Sequence, residues 1–134
     1  MKEINLEIIT PSKQAFSGKV KTVTVPGTSG SFQVLFNHAP LLSTFEIGKV
    51  KFEDLDGKEL EFVTAGGTVE VTENKILILA DSIENKDEID VQRALKSYER
   101  AKQRLSMRGK DIDLFRAEGA LARAINRLRF TGNM

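Results

Sequence analysis

The sequence predicts an α+β chain: an N-terminal antiparallel β-sandwich or flattened barrel in residues 1–86, then a C-terminal antiparallel two-helix hairpin in residues 87–134. Three observations lead to this fold class. Apolar residues recur at every second position in the first part, as in half-buried strands. They recur at every third or fourth position in the second part, as in amphipathic helices. The net charge also changes, from −3 (9 Lys, 12 Asp or Glu) to +4 (11 Lys or Arg, 7 Asp or Glu), which indicates two parts with different partners.

Six short strands are predicted in the first part from alternating or β-branched runs, and they occupy residues 4–9, 20–25, 49–53, 58–63, 68–72 and 75–80. Four pairs of turn-forming residues separate or end them: Pro26-Gly27, Asp56-Gly57, Gly66-Gly67 and Glu73-Asn74. Many short strands at even spacing are typical of an antiparallel sandwich or flattened barrel. Six phenylalanines are expected to fill its core rather than to bind a ligand: Phe16, Phe32, Phe36, Phe45, Phe52 and Phe62.

Two helices are predicted in the second part. Asp90 is placed to cap the first and Gly109 to end it. The apolar stripe of this helix steps by four, three and four residues through Ala94, Tyr98, Ala101 and Leu105. Asp111 or Asp113 is placed to cap the second helix, whose expected face consists of Leu114, Glu118, Leu121, Ile125 and Leu128. Small residues between positions 117 and 124 let two helices lie close, so an antiparallel hairpin is expected.

The residues that usually carry catalysis or bind metals are nearly absent. The chain has no cysteine and a single histidine, His38, so we expect no catalytic residues, no metal site and no required cofactor. The short motifs of serine hydrolases, zinc proteases and phosphate-binding loops do not occur. The Gly27–Gly30 stretch is interpreted as a tight turn, and His38 as a turn residue. No apolar run approaches the roughly 18 residues of a membrane span, and the first ten residues resemble no targeting peptide.

Arginine is concentrated on the predicted helices, and four interpretations remain open from the residues alone. The arginines can form a solvated helix surface, a nucleic-acid face, a contact for an acidic protein surface, or a phosphate site made by converging guanidinium groups. A nucleic-acid face is disfavoured because no aromatic residues interleave with the arginines for base stacking.

Several stretches of the chain resemble, in order, the motifs of one known family. They are residues 25–30, 35–42, 66–81, 89–94, 116–118 and 124–128. The combination of Asn37-His38-Ala39-Pro40 with Ile89-Asp90 and Arg93-Ala94 is the most specific part. These stretches are similar to the epsilon subunit of rotary F-type ATP synthases, and the resemblance covers essentially the whole chain. It implies the same two-part fold and a non-catalytic subunit.

In that family the sandwich docks on the gamma subunit and on the membrane ring of c subunits, so the resemblance implies these partners. It also implies a peripheral location on the cytoplasmic side of a bacterial inner membrane, through the complex alone. Two loops are candidates for the ring contact, with residues Ser29, Gly30, Ser31, His38, Ala39, Pro40, Leu41 and Leu42.

The resemblance further implies that the hairpin moves. Folded down it lies on the sandwich, and extended it reaches the alpha and beta subunits and blocks ATP hydrolysis. Some bacterial members bind ATP as a regulatory ligand in the folded-down state. The matching positions here are Glu84, Ile89, Asp90, Arg93, Ala94, Arg100, Arg123 and Arg127.

Two other functions are weighed against a rotor subunit. One is a free-standing module in which the hairpin binds ATP for an unrelated partner. The other is an enzyme with an unrecognised site. A rotor subunit, unlike a free-standing module, should copurify with gamma and the c ring. An enzyme should turn over a substrate as the isolated chain.

Overall fold

The computed structural model describes residues 2–107 and 113–134. The chain forms two compact units, Met1–Asn85 and Lys86–Met134; the boundary expected from the sequence lies one residue later. The first unit is built of strands and the second of helices, so the predicted fold class is confirmed. The strands are β1 (Ile4–Ile9), β2 (Gln14–Val25), β3 (Phe32–Val34), β4 (Leu41–Phe45), β5 (Gly48–Asp54), β6 (Glu59–Thr64), β7 (Gly67–Thr72), β8 (Lys75–Ala80) and β9 (Ile83–Glu84).

The nine strands form one sheet in the order β4-β7-β8-β1-β2-β5-β6-β9, with β3 paired to β2. An isolated bridge between Gly27 and Phe45 joins the β4 edge to the segment that follows β2. Beside it, the Glu46 amide donates to the Pro26 carbonyl at 2.9 Å. The open sheet thus folds back on itself as a sandwich, and the segment that follows β2 covers part of its β4 edge. One pair is parallel, β1 with β8, whereas the sequence predicts antiparallel pairing throughout.

Burial alternates along β1 as predicted, with Ile4, Leu6 and Ile8 buried. In β2 the alternation changes phase. Val20 and Val23 are both buried although three positions separate them. The register against β5 shifts between Val20 and Thr22, which marks a β-bulge. One extra residue there moves the following side chains to the other face of the sheet, so the regular alternation predicted for residues 20–25 is wrong.

The predicted turns are confirmed by their backbone geometry. Glu73 and Asn74 both have positive φ (45° and 60°), as in the two-residue hairpin turn that matches strand twist. Gly57 has φ 85°. The preceding Asp54 carboxylate accepts from the amides of Asp56 and Lys58, each at 2.9 Å, so it stabilises this hairpin from inside.

The core of the first unit contains five of the six expected phenylalanines. Phe45, Phe52 and Phe62 are buried, and Phe52 and Phe62 stack with ring centroids 5.7 Å apart. Phe16 and Phe32 are half-buried and pack against this core. Phe36 does not belong to it. It is half-buried and lines a surface groove with Leu35 and Leu55, because it follows β3 and lies in the loop beyond the sheet.

The second unit contains a 3₁₀ turn (Lys86–Glu88) and the helices α1 (Val91–Met107) and α2 (Leu114–Phe130), which contact each other as a hairpin. In α1, Ala94 and Ala101 are buried, as the predicted stripe requires. The expected face of α2 is partly wrong: Leu114 and Glu118 are exposed, and the buried residues are Ala117, Ala124 and Leu128. The small side chains of Ala117 and Ala124 allow close helix approach.

The ends of both helices follow from their capping residues. Asp113 precedes α2 in an extended conformation and is its N-cap, as predicted. The Thr131 amide and hydroxyl both donate to the Arg127 carbonyl and so close the last turn of α2. The alternative cap Asp111 and the predicted helix end Gly109 lie outside the described residues. Neither of the described helices is long and apolar enough to cross a lipid bilayer.

Candidate functional site

Both helices of the second unit begin with the same local motif, an aspartate followed three residues later by an arginine. The Asp90 carboxylate accepts from the Arg93 amide at 3.0 Å, and the Asp113 carboxylate accepts from the Arg116 amide at 3.0 Å. Each bond satisfies one of the amides that a helix N terminus leaves without an intrahelical partner. The Asp90 side chain therefore fixes where α1 begins and how Arg93 leaves the first turn.

The arginines of the hairpin follow a simple rule: each buried residue of α1 and α2 comes directly after an arginine. These five arginines, called the arginine face below, are Arg93, Arg100, Arg116, Arg123 and Arg127, and the buried residues after them are Ala94, Ala101, Ala117, Ala124 and Leu128. Neighbouring residues differ by roughly 100° around a helix. Every arginine of the set is therefore rotated in the same sense from the buried stripe.

That shared rotation brings the arginines of the two helices to one side of the hairpin. In an antiparallel pair, positions just before the buried stripe on one helix lie on the same side as those just before it on the other. Arg93 and Arg127 also lie at nearly the same level along the hairpin. Arg93 is 14 residues before the end of α1 at Met107, and Arg127 is 13 residues after the start of α2 at Leu114. Four of the eight predicted ATP-site positions belong to this face.

The acidic residues of the two helices point elsewhere. Glu99 and Glu118 are exposed and are rotated by about 100° or more around their helices from the arginines; Glu99 lies opposite the buried stripe and Glu118 lies on its other side. Within residues 2–107 and 113–134, Arg93, Arg100 and Arg123 form no ion pair with a carboxylate. Arg127 takes part in a further interaction, as does Glu84. The face therefore presents guanidinium groups that can bind an anion with several oxygens.

The remaining predicted ATP-site positions have diverse environments. Ile89 is buried and precedes α1, and Ala94 is buried in its first turn. Glu84 belongs to the first unit, in β9, where it pairs with Val63. The sequence-based set omitted Arg116, although it fulfils the same rule as the others. The repeated arginine–alanine dipeptide was the signal that could have identified it.

The first candidate contact loop, Ser29 to Ser31, is the turn between β2 and β3, and all three residues are exposed. Gly30 has φ 131° and its amide donates to the Gly27 carbonyl at 3.0 Å, which confirms the predicted tight turn. A hydrogen bond of 2.8 Å between the hydroxyls of Thr28 and Thr44 ties its start to β4.

The second candidate loop, residues 38–42, lies in the segment between β3 and β4 and includes the first two residues of β4. His38 Nδ1 donates to the neighbouring Ala39 carbonyl at 2.7 Å, so the ring is held by its own loop. Leu42 is 74% exposed and points away from the core. The two loops lie at opposite ends of β3, and β4 separates their anchor points by about 13 Å. The structure does not bring the two loops together.

A pair of asparagines fastens the second loop to the β7–β8 turn. The Asn37 amide donates to the Asn74 side-chain oxygen at 2.7 Å, and the Asn74 side-chain nitrogen donates to the Asn37 side-chain oxygen at 3.2 Å. Asn37 has φ 64° and Asn74 has φ 60°, a conformation that asparagine tolerates better than most residues. This contact, over 37 positions of sequence, sets the position of the loop.

Asn74→Gly should release the loop without straining the turn, because glycine accepts a positive φ but supplies neither hydrogen bond. We expect the unfolding free energy to fall by about 1 kcal/mol. Amide hydrogen exchange in residues 35–40 should become faster. Glu73→Gly is the matched control, since Glu73 has φ 45° in the same turn and its side chain forms no hydrogen bond or ion pair with the loop among the described residues. Equal exchange in both variants would contradict the fastening role.

Metal ligands are not clustered in the described residues: no group of three or more His, Asp or Glu side chains there could hold a metal ion. Ion pairs in the described sandwich include Lys19–Glu3 at 2.9 Å, Lys49–Glu61 at 3.6 Å and Lys51–Glu59 at 3.6 Å. The arginine face, by contrast, groups five side chains of the same charge on one side of the hairpin.

Comparisons with known proteins agree with this two-part architecture. Residues 3–86 match the family model for the beta-sandwich domain of the ATP synthase delta/epsilon chain, and residues 87–132 match the model for its long alpha-helix domain. The chain is 41% identical over 124 residues to the ATP synthase epsilon chain of Desulforamulus reducens, covering 92% of this chain and 93% of that protein. It is 42% identical over 132 residues to that of Nitratidesulfovibrio vulgaris, covering 98% of each.

Solved structures share the fold at lower identity. A chain of the mitochondrial ATP synthase of Euglena gracilis, solved as OSCP, F1 and c-ring, superposes with a TM-score of 0.83 at 20% identity, over 94% of this chain and 79% of that one. A chain of the central stalk and c-ring of the Tetrahymena thermophila enzyme gives 0.64 at 17% identity, over 96% of each. The predicted resemblance is confirmed: the chain belongs to the ATP synthase delta/epsilon chain family and is a non-catalytic subunit of that complex.

Proposed function

We propose that this chain is a rotor subunit of the central stalk of a bacterial F-type ATP synthase and that its hairpin restrains ATP hydrolysis. The sandwich docks on the gamma subunit and the c ring, and so couples them. The hairpin extends to contact the alpha and beta subunits. The coupling ion is a proton or sodium. The complex holds the chain as a peripheral protein at the cytoplasmic side of the inner membrane.

One observation carries the regulatory part of this proposal: the arginine face. Arg93, Arg100 and Arg123 have no carboxylate partner among the described residues, and both helices contribute to the face. When the hairpin is extended, the arginines of α1 and of α2 can each bind an acidic segment of a partner subunit separately. Because exposed ion pairs contribute only about 0.2–1 kcal/mol each, such an inhibited state is reversible.

ATP is the ligand proposed for the same face when the hairpin is folded. Guanidinium groups bind phosphate oxygens in a bidentate manner, with stronger hydrogen bonds than neutral donors make. Arginines from α1 and α2 surround one ligand only while the two helices lie side by side. A ligand that binds one conformation alone stabilises that conformation in proportion to its occupancy. ATP therefore favours the folded hairpin and opposes inhibition, without being hydrolysed.

The c ring is proposed to contact both candidate loops, residues 29–31 and 38–42. Since the loops lie at opposite ends of β3, contact with both requires that β3 and β4 lie along the ring surface. A sandwich that stands with one end on the ring can use only one loop. Crosslinking from single cysteines at Ser29 and Leu42 separates the two orientations, because only the first gives c-ring products from both positions.

Removal of Val91–Met134 tests the main proposal. In the reassembled ATPase we expect hydrolysis to rise, because the segment that blocks it is gone, while the truncated chain still copurifies with gamma and the c ring. The proposal is contradicted if hydrolysis stays the same or if the full-length chain fails to copurify with these partners. In the latter case, ATP binding by the isolated chain would indicate a free-standing module, and substrate turnover would indicate an enzyme.

A further inference from the structure

The backbone conformation of α2 does not require a glycine at position 119. It is the sixth residue of a 17-residue helix, and its φ is not in the left-handed region where glycine is favoured. Glycine inside a helix is less favourable than alanine, chiefly because it loses more conformational freedom on folding. A second helix packed closely against the Cα atom could also require glycine. Around Gly119, however, no backbone atom from another element among residues 2–107 and 113–134 comes within contact distance of an added methyl group.

The space beside Gly119 is occupied by a single group, the guanidinium of Arg123. An added Cβ atom would lie 3.2 Å from Arg123 Nη1, and apart from the neighbouring residues and the local helix backbone no other atom of the described residues would be within 4 Å. Side chains in a helix lean towards its N terminus, so a residue covers the position four places before it. The Arg123 side chain thus folds back along α2 and lies over the bare Cα atom of Gly119.

We infer that Gly119 is a positioning residue for Arg123 in the proposed ATP site, an inference that rests on the proposed function. A methyl group at position 119 pushes the guanidinium outward by a few tenths of an ångström or turns it to another rotamer. Arg123 has no carboxylate among the described residues to hold it in place. Its direction is therefore set by the surface under it, and bidentate binding of phosphate depends on that direction.

Gly119→Ala distinguishes positioning from a merely structural role because the two roles predict opposite signs. Alanine stabilises the helix, so the thermal midpoint of the helical signal should rise. If Gly119 were only a weak point of α2, ATP, which binds the folded hairpin, would bind equally or more tightly. With a positioning role, ATP binding to the full-length chain should weaken by about tenfold in calorimetry, from partial loss of one charge-assisted contact.

The effect must also depend on Arg123. In an Arg123→Ala background, Gly119→Ala should leave the ATP affinity unchanged, because the group that it displaces is gone. Ala122→Gly is the matched control: it lowers the helix propensity of α2 at an exposed position that is rotated about 100° around the helix from Arg123, and it should affect affinity only through stability.

Two results would overturn the inference. One is tight ATP binding by Gly119→Ala, and the other is the same loss with and without Arg123. If the wild-type chain binds no ATP at all, the proposed site is refuted and the positioning role with it. If wild type binds and Gly119→Ala binds equally well, only the positioning role is refuted.

Discussion

Replacing Arg93 or Arg123 by alanine is expected to weaken ATP binding to the full-length chain by about 10- to 150-fold. Each change removes one charge-assisted hydrogen-bonding group, worth about 1.5–3 kcal/mol when its partner is bound. The two residues come from different helices, and neither has a carboxylate partner in the described structure. Their loss should therefore leave the free hairpin intact, so that the effect appears in the affinity. Isothermal calorimetry measures the change directly.

Arg129→Ala is the matched control for this prediction. Arg129 is exposed in the last turn of α2, and it lies on the side of the helix away from the arginine face, since it follows the buried Leu128 instead of preceding it. Its loss should change the affinity by less than about twofold. Arg127 is a less clean probe because it already takes part in another interaction. Equal affinities for Arg93→Ala, Arg123→Ala and wild type would show that ATP does not bind at the arginine face.

A double variant tests whether the two helices hold one ligand together. If Arg93 and Arg123 contact the same phosphate chain, loss of one lets the ligand shift, and the second loss then costs less than it does alone. Contacts that share a partner are coupled in this way, whereas independent sites add. Strict additivity of the two affinity changes would therefore favour two separate anion sites over the single site proposed.

The sequence predicted those elements whose signals are local. The Asp56-Gly57 hairpin and the Asp90 cap each depend on residues within four positions of one another, so the motif alone is sufficient. Strand β4 was missed because its partner β7 lies about 26 positions away, and nothing in its short run of residues distinguishes a strand from a loop. The bulge in β2 was missed for a similar reason. β-Branched residues occupy both faces of the strand there, so the sequence pattern does not show where the buried face changes.

The candidate site was only partly predictable. Helical spacing alone placed the arginines in two rows, but it did not show that both rows lie on one side of the hairpin. That conclusion required the buried positions, and the predicted α2 stripe began at Leu114, which is exposed. Once Ala117 and Ala124 are known to be buried, the arginine before each of them defines the face. The boundary expected at residue 86 had already placed Glu84 in the first part of the chain, apart from the arginines, as the structure also does.

Gly67→Ala is expected to be the most destabilising single change in the sandwich, at about 3 kcal/mol or more. Gly67 opens β7 with φ 157°. An added Cβ atom would collide with the Leu79 carbonyl oxygen, and it would lie 2.9 Å from both Ala80 Cα and the Phe45 ring. These atoms belong to the two strands that flank β7, β8 and β4. Neither strand can move away from Gly67 without breaking its hydrogen bonds to β7. The steric clash therefore cannot be relieved at a small cost in free energy. Urea unfolding followed by the β-sheet circular dichroism signal measures it.

Gly57→Ala measures the free-energy cost of a positive φ at alanine without the steric clash that accompanies Gly67→Ala. Gly57 has φ 85°, and an added Cβ atom there would meet only the flexible end of Glu53, at 3.7 Å. Alanine at that position should cost about 1–2 kcal/mol, the penalty of a left-handed backbone alone. The difference between the two variants is then the cost of forcing β4 and β8 apart. Because β4 carries Leu42 and follows the second contact loop, Gly67→Ala should also weaken c-ring binding, which Gly57→Ala should preserve. If the two variants were equally stable, the strands around Gly67 would have moved apart to accommodate the methyl group. The close approach of β4, β7 and β8 would then not constrain the second contact loop.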